Sequence, residues 1–254
     1  MAEPEQALFL HVPPETLPPG IARLYAGAEF CPWRFPATAE LRRLLALARE
    51  RRLAFTLVTP VLIEPQRTPL YDQLALLLPE FGAADEVVIS DWGTLDLVRE
   101  LRPETTVVLG RVLSGQKRDA RTVALDLGAA QAAHFRQGSW YSAPAAGLLR
   151  ELGIRRVELD NLLQGLDPLP ASLQGTLHVP YAMVASSRNC PFRRPGSARP
   201  CPRPCGEVFT LRAADCPVPL LQGGNTQFLC NERLPEDLAA LGIDRVVAHS
   251  ELPR

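Results

Sequence analysis

Short apolar runs alternate with longer amphipathic stretches along most of the chain. Residues 7–12 and 22–26 read as strands. Residues 37–52 place Leu41, Leu44, Leu45 and Ala48 on one stripe, with charges elsewhere and no internal glycine or proline. That spacing predicts an amphipathic helix. The alternation continues with strands at 54–58, 86–90 and 106–109 and helices at 71–78 and 94–101. A helix at 145–152 runs through Gly153 into a strand at 155–159, and another strand follows at 175–181. A short helix at 235–241, with Pro235 in its first turn, and a strand at 245–248 close the series. Runs such as Glu86-Val-Val-Ile-Ser90 are apolar without alternation, as expected when both faces of a parallel sheet are covered.

Strands separated by helices imply βαβ units. At least seven such units in 254 residues predict an α/β fold of the (β/α) TIM-barrel-like type, incomplete or distorted in places. An open dinucleotide-binding sheet is disfavoured, because no Gly-x-Gly-x-x-Gly turn follows a strand. The expected organisation is a single domain over 1–254, interrupted by a loop of different character at 188–206.

Composition narrows the classes of function. The chain is 46% hydrophobic and 22% charged, too apolar and too balanced for a disordered tail. With 27 basic and 28 acidic residues the net charge is -1, so there is no global steering toward nucleic acid or anionic membrane. No apolar run is long enough to span a bilayer, and Met1–Gln6 lack a basic leader region. A cytoplasmic protein with reduced thiols is expected.

The loop at 188–206 reads Arg-Asn-Cys-Pro-Phe-Arg-Arg-Pro-Gly-Ser-Ala-Arg-Pro-Cys-Pro-Arg-Pro-Cys-Gly, with almost no core-forming residue. Something other than packing must order it. Cys190, Cys201 and Cys205 fall in this turn-rich stretch, and thiolates at such spacings can wrap a metal centre. Iron–sulfur clusters and structural zinc both take four thiolates. The spacing does not separate the two, and unligated thiols are a third reading. The fourth ligand must come from elsewhere. Cys31, shortly after a strand end, is a candidate, because loops after barrel strands gather at one face. Cys216 and Cys230 sit in apolar, strand-like runs and read as buried structural thiols.

These residues carry a resemblance. Gly27-Ala-Glu-Phe-Cys31, Ser90-Asp-Trp-Gly93, Val157-Glu-Leu159, Ser186-Ser-Arg-Asn-Cys190, Cys201-Pro-Arg-Pro-Cys205 and Leu241-Gly-Ile-Asp-Arg-Val246 occur in order over most of the chain. In this pattern the chain resembles the collagenase-like peptidase superfamily, and within it the UbiV-like branch. It departs from that branch at Ala28, at Asn189 and at Tyr181, which stands where a histidine is common. The resemblance implies a [4Fe-4S] cluster held by Cys31, Cys190, Cys201 and Cys205, with zinc as the alternative metal. The sister UbiU branch takes one ligand from further downstream, so Cys216 or Cys230 is the reserve for Cys31. It also implies a role in oxygen-independent ubiquinone biosynthesis, as a subunit of a hydroxylase paired with a UbiU-like partner in a heterodimer. Two other classes stay open: a superfamily RNA-hydroxylation factor, and a metal-stabilised scaffold without catalysis.

Other residues refine this picture. Arg188, Arg193, Arg194, Arg199 and Arg203 crowd the cysteine loop. They can offset the charge of a thiolate-bound cluster or grip a small carboxylate or quinone-precursor ligand. The alternatives are a solvated basic loop or a nucleic-acid patch, and the patch lacks an aromatic stacking platform. Asp91 follows a strand, where a barrel carries active-site groups; its simpler role is to cap the next helix. Glu158, if it faces the barrel interior, must pair, with Arg111 or Arg188 as candidates. The four histidines show no ligand spacing and no Gly-x-Ser-x-Gly elbow is present, so peptidase activity is not expected.

Overall fold

The computed structural model describes residues 3–193 and 200–253. The chain begins with β1 (Glu5–Leu10) and β2 (Arg23–Gly27), then alternates α1 (Thr38–Glu50), β3 (Ala54–Val58), α2 (Glu64–Leu77), β4 (Glu86–Ile89), α3 (Trp92–Leu101) and β5 (Thr106–Leu109). Two helices, α4 (Ala129–Arg136) and α5 (Ala143–Glu151), lead to β6 (Arg156–Asp160) and β7 (Gln174–Val179). Four strands follow: β8 (Tyr181–Ser186), β9 (Phe209–Leu211), β10 (Leu220–Gly223) and β11 (Thr226–Cys230). The last is β12 (Ile243–His249). β1 to β7 and β12 form a closed barrel in which every neighbouring pair is parallel, closed by β1 against β12.

All eight barrel strands coincide with apolar runs of the sequence. The helical ring is incomplete: no α-helix lies between β1 and β2, or between β6 and β7, among the described residues. Between β7 and β12 the chain instead builds a four-stranded antiparallel sheet, in the order β8-β11-β10-β9. Three local expectations change. The stretch 235–241 is a set of turns, not a helix; a helix of this length must meet the cost of nucleation with few bonds, and Gly242 at φ +76 ends it. The helix expected from residue 71 starts at Glu64, because Pro69 lies near its beginning and removes a single ladder bond. The alanine-rich α4 is an element that the apolar pattern does not predict.

The core has two layers. Outside the barrel, Leu41, Leu44, Leu45 and Ala48 of α1 are buried against strand residues such as Leu24, Phe55 and Leu57. Each such leucine contributes about 1.5–3 kcal/mol. Inside the barrel, Ala7, Phe9, Tyr25, Val58, Val88, Val108 and Val247 form a second cluster. Polar side chains fill the rest of the interior. At the N-terminal end of the strands, Arg23 meets Glu5 at 3.0 Å and Glu86 at 3.3 Å, and Arg245 meets Glu86 at 2.7 Å.

The C-terminal end is closed by the small sheet. Met183 and Phe228 pack on Phe30 and Leu252 there. Beneath them Arg111 is fully buried and pairs with both Glu29 and Asp160, donating also to the Tyr181 carbonyl at 3.0 Å. Arg118 holds the other Asp160 oxygen at 2.7 Å. Burial alone would raise the Asp160 carboxyl; Arg118, Arg111 and the Met183 N–H more than reverse this and hold it below its ordinary value. A depressed carboxyl stabilises the fold above its unfolded pKa of about 3.9, and that contribution is lost as pH falls through the lower, folded value. Asp160→Asn should therefore cost about 2 kcal/mol near pH 7. The gap to wild type in urea unfolding should narrow below about pH 4. A gap independent of pH would contradict this assignment.

Candidate metal centre

Gly27 ends β2 with φ +138, and a Cβ there would lie 1.9 Å from the Val58 carbonyl oxygen. Only glycine lets the chain turn out of the barrel wall at this point while Ala28 N–H bonds the same oxygen at 3.0 Å. The turn delivers Glu29 to Arg111, with Nε to Oε1 at 2.9 Å, and places Phe30 under the Arg111 guanidinium, 5.3 Å from the ring centre. Two residues past Glu29, Cys31 reaches the rim of the C-terminal face. Gly27→Ala should cost at least about 2 kcal/mol through the strained φ and the clash. In a chain of this size that is a drop in Tm of at least about 4 °C. An unchanged Tm would show that the turn tolerates a side chain.

On the other side, β8 runs into the cysteine loop. Asn225, just before β11, binds this junction: its side-chain amide donates to the Phe30 and Ser187 carbonyls, both at 2.9 Å. One amide thus ties the Cys31 segment to the start of the Cys190 segment. As a result Cys31, Cys190, Cys201 and Cys205 line a single cavity of about 360 Å³ at the barrel mouth, together with Trp33 and Arg34. All four are half-buried free thiols. Among the described residues, no group of three His, Cys, Asp or Glu side chains stands assembled as a metal-ion coordination set.

The electrostatics of the cavity centre on its sulfurs. Burial pushes the Cys31 thiol above its ordinary value; the backbone N–H groups of Trp33 and Arg34 oppose this, and the nearby Cys205 and Cys201 add to it. Arg34 donates to Cys205 Sγ at 3.2 Å. Arg188, Arg193 and Arg203 also line the cavity, and the Arg193 guanidinium lies over the Trp33 ring, 5.2 Å from its centre. Arg194 and Arg199 fall outside the described residues. Four thiols facing one space, with amide and guanidinium donors at two of them, suit a centre that draws negative charge onto sulfur.

Sequence reasoning missed Arg34 and the aromatic side chains of this cavity. Trp33 and Phe192 stand here, and Phe192 meets Phe209 edge-on at 6.1 Å. The proximity of Trp33 and Arg34 to Cys31 in the chain was the available signal.

The other singled-out residues lie elsewhere. Cys216 packs beside Ala182 and Leu229, and its thiol donates to the Val218 carbonyl at 3.2 Å. Cys230 is not buried as expected but exposed, at the end of β11 opposite Tyr181. Neither lines the four-thiol cavity. Asp91 caps α3, accepting from Gly93 N–H at 2.8 Å. Glu158 does face the barrel interior, but its partners are Tyr25 and His178, because Arg111 is already taken by Glu29 and Asp160.

No protein-family model matches the chain, and no curated protein matches it. Among solved structures, the U32 peptidase Mk0906 is similar at a TM-score of 0.49 and 14% identity, over 100% of this chain and 96% of that one. No helix among the described residues is long and apolar enough to cross a membrane.

Proposed function

We propose that the chain is an iron–sulfur protein of the collagenase-like peptidase superfamily, of the UbiV-like branch. In this reading Cys31, Cys190, Cys201 and Cys205 hold one [4Fe-4S] cluster. The observation that carries it is that four thiols, 174 residues apart at the extremes (31 to 205), line one cavity at the C-terminal face of a parallel barrel. The donor set fits such a cluster, which takes four thiolates. Arg34, Arg188, Arg193 and Arg203 offset its negative charge, and the Trp33 and Arg34 amides stabilise the Cys31 thiolate. Bound there, the cluster would supply one-electron chemistry. The residues around it position the thiolates and limit the access of water.

The biological role that follows is oxygen-independent hydroxylation of the ubiquinone ring, as the subunit of a heterodimer with a UbiU-like partner. A small carboxylate or quinone-precursor ligand would use the arginines not spent on the cluster. Anaerobic purification followed by iron and sulfide quantitation tests the metal. The expected result is a brown protein with about four iron and four sulfide per chain. A colourless protein containing zinc would replace this reading with that of a metal-stabilised scaffold. Co-expression with a homologous barrel protein tests the heterodimer, which should elute as one species; separate elution would overturn the partner assignment.

A further inference from the structure

The barrel interior holds a second chemical system that shares no residue with the thiol cavity. Tyr25 of β2, Glu158 of β6, His178 of β7 and His249 of β12 are all at most 5% exposed. They form one hydrogen-bonded chain. Arg245 Nη1 donates to the Tyr25 hydroxyl at 2.9 Å, and that hydroxyl donates to Glu158 Oε1 at 3.1 Å. The second Glu158 oxygen meets His178 Nε2, and His178 Nδ1 meets His249 Nε2 at 2.8 Å. The far nitrogen, His249 Nδ1, is buried and has no hydrogen-bond partner among the described residues.

The protonation pattern follows from the ends of this chain. Tyr25 already accepts from Arg245, so its own proton goes to Glu158. An ionised Glu158 only accepts, so His178 must carry its proton on Nε2. His178 Nδ1 is then a lone pair, and His249 must donate to it from Nε2. His249 Nδ1 is left as a buried lone pair. Buried polar atoms are rarely left unpaired, so this one marks a place for a donor. Packing holds the ring in this orientation, since it stacks on Phe9 with centroids 4.9 Å apart. The charged and titratable groups that face it are His178 of β7, Arg111 after β5 and His11 after β1.

We propose that Tyr25–Glu158–His178–His249 is a proton relay whose receiving atom is His249 Nδ1, serving an O–H or N–H donor, water or a small ligand, at the C-terminal end of the barrel. A proton arriving at Nδ1 displaces the Nε2 proton of His249 onto His178 Nδ1. His178 in turn passes its Nε2 proton to Glu158. The bonds made and broken balance: one proton enters, and the carboxylate becomes a carboxylic acid. No buried imidazolium accumulates, which agrees with burial, together with the nearby Arg111 charge, holding the His249 ring neutral. The order carboxylate–imidazole–acceptor follows the logic by which a buried carboxylate sets the tautomer of a catalytic histidine.

The test is nitrogen-15 NMR of histidine-labelled, full-length protein near pH 7. Wild type should show His178 and His249 as neutral rings protonated at Nε2. A His249 ring protonated at Nδ1 would overturn the proposal. Glu158→Gln provides the second arm. Its carboxamide still accepts from Tyr25 and presents its NH2 group to His178 Nε2. His178 must then protonate at Nδ1 and donate to His249 Nε2, so the His249 proton should move to Nδ1. A folded Glu158→Gln protein with both tautomers unchanged would overturn the coupling. If that variant does not fold, the wild-type spectrum still decides.

Discussion

Cys201→Ala is expected to lose most of the bound iron, whereas Cys216→Ala retains the wild-type amount. The contrast rests on placement. Cys201 lines the cavity that also contains Cys31, Cys190 and Cys205, while Cys216 packs in a separate cluster and donates to the Val218 carbonyl. Removing one of four thiolates would leave a cluster with an open site and the loop with two anchors, Cys190 and Cys205. Because the loop has almost no apolar residues of its own, a bound centre would supply the free energy that orders it. Cys201→Ala should therefore become protease-sensitive within 188–206 while the barrel remains intact. Iron quantitation after anaerobic purification, with limited proteolysis beside it, checks both statements. Equal iron loss from the two variants would show that the ligand set is misassigned.

Arg111→Met is expected to destabilise the fold by about 3–5 kcal/mol. That is a large part of the roughly 5–15 kcal/mol a native domain has in total. The arginine is fully buried and bridges Glu29, Asp160 and the Tyr181 carbonyl. Methionine replaces its volume but leaves Glu29 as a buried carboxylate without its counter-ion; Asp160 keeps Arg118. Removing one member of a buried pair costs more than the pair itself contributes, since the remaining charge stays desolvated. The double variant Arg111→Met, Glu29→Leu should recover part of the loss for that reason. Urea unfolding of the three proteins measures it, and a loss under about 1 kcal/mol for Arg111→Met would mean that Glu29 finds water instead. The same variant should weaken iron retention, because Glu29 lies two residues from Cys31.

Parts of this architecture are legible along the chain. Each of the eight barrel strands lies on a short run that reads as a strand, and β5 is apolar throughout its buried length; α1 declares its buried face through Leu41, Leu44, Leu45 and Ala48. The small sheet is legible only in part: the run that ends at Cys230 reads as strand-like, and it is β11. The other strands are three to six residues long and partly exposed, and proline-containing stretches flank β9, so their apolar signal does not rise above that of loops. Pro180 divides β7 from β8, and the strand read along the sequence at 175–181 covers β7 and stops at the first residue of β8.

The local sequence by itself determined the parallel barrel and picked out the four cysteines, because side-chain periodicity and thiol chemistry are properties of short segments. It also marked Asp91 as a cap, a contact spanning two residues. Only the tertiary structure decided which groups meet. It brought Arg34 to Cys205, gave Arg111 to Glu29 and Asp160 rather than to Glu158, and joined Tyr25, Glu158, His178 and His249 through the barrel interior. These partners lie between 20 and 171 residues apart in the chain. Barrel closure sets such pairings by strand order and register, which no local pattern encodes.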